Sequence, residues 1–89
     1  MKQTDIIKFL ESLVHKRFNE ETLTNELSKF FDCKIEIFKS DYESPDYNYI
    51  FNIDKDDLFL DGDIYYLVQK NASFDGSTIY ITEVAYNFN

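Results

Sequence analysis

The order of patterns along this chain predicts an α+β fold, with two N-terminal helices packed on one face of a four- or five-stranded antiparallel sheet. Three observations carry that expectation. Apolar side chains recur at helical spacing up to residue 31 and at every second position after it. The strand-like runs are separated by short turn clusters, which favour antiparallel neighbours because parallel ones need long crossovers. Finally, 89 residues with nine Phe and seven Tyr, against two Gly and one Pro, suffice for one core and no second. Residues 1–89 therefore read as a single small acidic domain.

The first helix is expected over about 5–18. Ile6, Phe9, Leu10, Leu13, Val14 and Phe18 follow the i, i+3, i+4, i+7 spacing of one face, with Thr4 placed to cap the start. Within it, Glu11 and His15 stand four apart, close enough to touch across one turn. A second helix is expected over about 20–31, capped by Asn19. Glu20 and Glu21 fall in its first turn, where the helix dipole favours acids, and Leu23, Leu27, Phe30 and Phe31 form its apolar face.

From Cys33 the period becomes two. Cys33, Ile35 and Ile37 alternate with Lys34 and Glu36, predicting a strand over 33–39. A turn cluster, Ser40 to Asp46, precedes a strand over 47–53 in which Tyr47, Tyr49, Phe51 and Ile53 share one face. Further strands are expected over 63–70 and 78–88, joined through the hairpin signal Asp75-Gly76. Leu58 to Leu60 reads as a short extra strand turning at Asp61-Gly62. The last strand is apolar on both faces by strict alternation, with Ile79 and Ile81 on one side and Tyr80, Val84, Tyr86 and Phe88 on the other, unless a bulge near Glu83 interrupts it. Helices on one side of the sheet would leave several tyrosines on the other, where Tyr supplies contact area and a polar tip.

Chemistry by side-chain catalysis finds little support. An EF-hand aligned on Gly62 would place Phe59 and Val68 at ligand positions, so it is excluded. One His15 and one Cys33 provide no paired spacing for a transition metal and no nucleophile with its base. Cys33 sits at an apolar alternation position, as a small buried hydrophobe would, and a lone cysteine suits a reducing compartment. No Gly-rich phosphate loop is present. The expectation is a protein that is not an enzyme, holds no cofactor or metal, and has no catalytic residue. With no secretory leader or apolar 18-residue run, it is expected in the cytoplasm and off the membrane.

Charge is the informative quantity. The net charge is −8, and it comes from one half of the chain. Residues 1–39 carry seven basic and seven acidic side chains, whereas residues 40–89 carry ten acids against Lys55 and Lys70. Direct binding of nucleic acid is excluded by that sign. The acids gather in two clusters, Asp54, Asp56, Asp57, Asp61 and Asp63 in one, and Asp41, Glu43 and Asp46 in the other. Phe59 and Tyr42 stand among them as apolar anchors. Alternate strand residues point to one side about 6.5–7 Å apart, so such carboxylates form rows like the phosphates of a nucleic-acid strand.

Acidic turns also keep aromatic-rich domains soluble and guard sheet edges. Beyond that role, the leading expectation is a small non-enzymatic inhibitor that binds a basic partner, a nucleic-acid-binding protein or nuclease, by nucleic-acid mimicry. In size, acidity and lack of catalytic residues the chain resembles phage-encoded antagonists of host nucleases, of the anti-CRISPR or anti-restriction kind. Two alternatives stand beside it. One is an immunity or antitoxin protein that neutralises a basic toxin, and the other is a structural subunit that oligomerises through its tyrosine face.

Overall fold

The computed structural model describes residues 2–39, 47–55, 57–70 and 77–89. Their elements run α1 (Gln3–Ser12), β1 (Arg17–Phe18), α2 (Glu20–Phe31), β2 (Phe38–Lys39), β3 (Tyr47–Lys55), β4 (Leu58–Lys70) and β5 (Ser77–Phe88). The strands form one antiparallel sheet in the order β1-β5-β4-β3-β2. The architecture is α+β with both helices N-terminal to the main sheet, as the periodicity requires.

α1 is shorter than its apolar spacing suggests. Its N-cap is Lys2, without a side-chain cap, rather than Thr4. At the other end the backbone of His15 turns left-handed, with φ 70°, and the chain leaves the helix to pair with β5. Phe18 therefore belongs to strand β1 and not to a helical face. His15 is likewise not beside Glu11: its Nδ1 lies 2.7 Å from the Tyr80 hydroxyl. By contrast, α2 has the expected bounds. The Asn19 side chain accepts from the Thr22 N–H, and Thr22 Oγ1 accepts from the Asn19 N–H, a reciprocal capping box. Asp32 ends the helix in the left-handed conformation, and its carbonyl accepts from Lys55 Nζ at 2.6 Å.

The segment after α2 departs from the two-residue period. Residues 33–37 are not in a strand, and only Phe38–Lys39 pairs, against Ile50 and Tyr49 of β3. Ile35 is nevertheless buried, and Cys33 and Ile37 pack against the core. The alternation reports burial here rather than sheet pairing. The turn at 40–46 and the hairpin signal at 75–76 lie outside the described residues.

β3 and β4 form one long ladder from Lys55↔Leu58 upward. Leu58–Leu60 is thus the start of β4 and not a separate strand, and the chain does not turn at Asp61-Gly62. It reverses between Lys55 and Leu58, where Asp57 has φ 64°, the left-handed conformation that short hairpin connections demand. Gly62 lies inside the strand opposite Phe51, and a methyl group there would overlap the Phe51 ring.

The core sits between the helices and one sheet face. Ile6, Leu10 and Leu13 from the first helical region and Leu23, Leu27 and Phe31 from α2 meet Tyr49, Phe51, Ile53, Leu60, Ile64, Tyr66, Ile79 and Ile81. Phe9 stacks on Phe30 at 3.9 Å between ring centroids and locks the two helices together. β5 is not apolar on both faces. Tyr66 pairs with Ile81 and Tyr65 with Glu83, so Thr82 is an extra residue in a β-bulge. The bulge shifts the phase of the strand. Val84, Tyr86 and Phe88 consequently return to the same side as Ile79 and Ile81 and pack against the core.

Candidate binding face

The side chains opposite the helices follow from the register. Along β4 they are Phe59, Asp61, Asp63, Tyr65, Leu67 and Gln69, because Leu60, Gly62, Ile64 and Tyr66 turn inward. β3 adds Ile50, Asn52 and Asp54, and β5 adds Tyr80, Glu83, Ala85 and Asn87. Phe38 of β2 joins Ile50, and Arg17 of β1 joins Tyr80. No described helix covers this face, since both helices pack on the other one.

Read in rows across the strands, the face is graded. At one end Asp54 stands opposite Phe59. Next come Asn52, Asp61 and Asn87, then Ile50, Asp63 and Ala85, then Asn48, Tyr65 and Glu83. The far end is Leu67, Tyr80 and Arg17, with the guanidinium 5.3 Å above the Tyr80 ring and its Nε donating to Gln69. Four carboxylates thus share one face with an apolar and aromatic set. Phe38, Phe59 and Leu67 are each about half exposed, at 57%, 47% and 56%. Tyr65 and Tyr80 are the tyrosines of this face, whereas Tyr49, Tyr66 and Tyr86 turn to the core.

Neutral amides hold the central carboxylates. Asn89 Nδ2 donates to Asp61 Oδ2 at 2.8 Å and Asn48 Nδ2 to Asp63 Oδ1 at 3.4 Å. With its amide nitrogen facing these acceptors, Asn52 donates to Asp61 Oδ1 at 2.9 Å. Asn87 in turn donates to Asn89 at 3.0 Å. Such donors fix an oxygen in place without cancelling its charge. Among the described residues, the ion pair formed is Lys34–Glu36, which involves none of these acids.

Of the residues expected at the site, Asp54, Phe59, Asp61 and Asp63 fall together on this face. Asp57 does not join them, because it sits in the β3–β4 turn. Asp56, Asp41, Tyr42, Glu43 and Asp46 lie outside the described residues. The sequence reading missed Glu83, Ile50, Leu67, the asparagine donors and the pairing of Tyr65 with Glu83. Reading Asp61-Gly62 as a turn hid the period-two stripe Phe59, Asp61, Asp63, Tyr65, Leu67 on a single strand.

Among the described residues, no group of His, Cys, Asp and Glu side chains is arranged to hold a metal ion. Nor is any described helix long and apolar enough to cross a membrane. No family model, curated protein or solved structure matches the chain.

Proposed function

We propose that this protein is a non-enzymatic binding module whose helix-free sheet face docks on a basic protein, in the manner of an inhibitor that occupies a nucleic-acid-binding site. The observation that carries the proposal is the placement of Asp54, Asp61, Asp63 and Glu83 beside Phe59, Ile50, Tyr65 and Leu67 on one rigid sheet surface. Carboxylates in a row attract lysines and arginines gathered to hold phosphates, and they speed encounter by electrostatic steering. Exposed apolar side chains among them provide the desolvated contacts that carry affinity. A sheet holds this pattern with less freedom than a loop, so little ordering entropy is lost on docking.

The partner class that fits is a nuclease or another nucleic-acid-binding protein. The test replaces Asp54, Asp61 and Asp63 by Asn and Glu83 by Gln in one variant, with the fold verified by circular dichroism. Basic proteins retained by the immobilised wild-type chain at low salt are identified, and the chain is then titrated against each one bound to labelled DNA. The wild type is expected to release the DNA, with affinity falling steeply as salt rises. The variant is expected to be weaker by about thirty-fold, four charges at about 0.5 kcal/mol each. Equal affinity and an equal salt slope for both proteins would remove the charge-based reading.

A further inference from the structure

We infer that two copies of this chain associate through the outer edge of β5, pairing antiparallel over Val84–Phe88 with Tyr86 opposite its symmetry mate. On that edge β1 pairs only with Ile79 and Tyr80, and the preceding turn bonds only Ile81, through His15 N–H to its carbonyl and its own N–H to Lys16. Beyond the bulge, no described strand lies on that side.

The direction of the free groups follows from one hydrogen bond. Asn89 N–H donates to Phe59 O of β4, so by strand alternation Asn87, Ala85 and Glu83 also turn their main-chain groups toward β4. Val84, Tyr86 and Phe88 therefore point theirs outward. What satisfies such a row is an extended strand.

Two features select a second copy as that strand. First, this edge lacks the usual deterrents. Residues 82–89 contain no Pro, no Lys and a single charge, Glu83. The free stretch of the opposite edge, in β3, carries Asp54 and Lys55. Second, the segment is complementary to itself. With Tyr86 on the two-fold axis, Val84 meets Phe88 of the other copy and each such pair exchanges two main-chain hydrogen bonds. The partly buried Val84, Tyr86 and Phe88 side chains then pack across the seam on the helix side. Glu83 faces Asn89, so no like charges stand directly opposed. The register ends before Ile81, leaving the β1 contacts intact. At −8 per copy, long-range repulsion opposes association, and added salt relieves it.

The experiment combines sedimentation velocity with residue-resolved amide exchange on the full chain, from micromolar to millimolar concentration at low and high salt. The expected result is a monomer–dimer equilibrium shifted toward dimer by salt. Val84, Tyr86 and Phe88 amides exchange at least about ten-fold more slowly as the dimer fills, while Ala85 and Asn87 are protected throughout. Tyr86→Lys, which sets two ammonium groups at the axis, is expected to raise the dimer dissociation constant by at least about ten-fold. A monomer at every concentration and salt would overturn the inference. So would a dimer in which those three amides do not slow, and that readout needs no variant to fold.

Discussion

Gly62 and Tyr49 show how narrow the tolerances of this core are. Gly62 faces Phe51 across the β3–β4 ladder, and the ring fills the space a side chain would take. Phe51 is fully buried and has nowhere to retreat. Gly62→Ala is therefore expected to destabilise the fold by about 1–3 kcal/mol, measured as a lower urea midpoint, despite the better strand propensity of Ala. Tyr49 stacks on Tyr66 at 4.5 Å between centroids, and its hydroxyl donates to Glu20 Oε2 at 3.3 Å. Burial, foremost, then the neighbouring Tyr66 and Glu20, raise its phenol well above the ordinary tyrosine value. The folded state thus keeps a proton that the unfolded chain releases near pH 10. Its contribution to stability is complete below that pH and is lost as pH rises above it. In urea titrations above about pH 10, the wild type is expected to lose up to about 1.4 kcal/mol more per pH unit than Tyr49→Phe.

At the level of elements, the bulge in β5 decides which side chains are core. Were Thr82 an ordinary member of the ladder, strict alternation would put Val84, Tyr86 and Phe88 on the face that carries Asp61 and Asp63. Deleting Thr82 joins Ile81 to Glu83 with both still opposite Tyr66 and Tyr65, so the cooperative near-ultraviolet signal is expected to survive. Deleting Ala85 instead turns Tyr86 and Phe88 out of the core and is expected to abolish that signal or to cost about 4 kcal/mol or more. The helices and strands differ in how far the sequence betrays them. The α2 cap and bounds are readable because Asn19, the acidic first turn and the apolar stripe all agree. α1 is not, because its apolar spacing runs on through Leu13, Val14 and Phe18, past the end of the helix at Ser12 and the left-handed His15. Residues 33–37 alternate as a strand does yet pair with nothing described, since packing Ile35 into the core demands the same pattern as a ladder. Gly62 misleads for a related reason. An Asp-Gly pair signals a turn locally, but here the glycine answers to an aromatic ring on the next strand.

For the whole molecule, the split of charge between the two halves of the sequence becomes a split between two layers. The neutral N-terminal half supplies the helices that cover one face and two short edge strands, and the acidic half builds the three long strands and most of the exposed side. That much of the candidate site was legible: Asp54, Asp61, Asp63 and Phe59 share a face. Glu83 and the asparagine donors were not, since they reach the aspartates only through cross-strand register, which composition does not encode. If β5 edges pair about an axis perpendicular to the sheet, the two acidic faces lie on the same side, and a partner with two basic surfaces meets them at raised effective concentration. One further property follows from the short strand β1. Arg17 and Phe18 extend the sheet by pairing with Tyr80 and Ile79, the strand pairing of greatest sequence separation among the described residues. During synthesis the helices emerge with Ile6, Leu10, Leu23 and Leu27 already in place, but the surface that buries them is made afterwards. The N-terminal half must therefore remain unfolded, or be sheltered, until β5 has emerged from the ribosome, and folding of this domain waits on that strand.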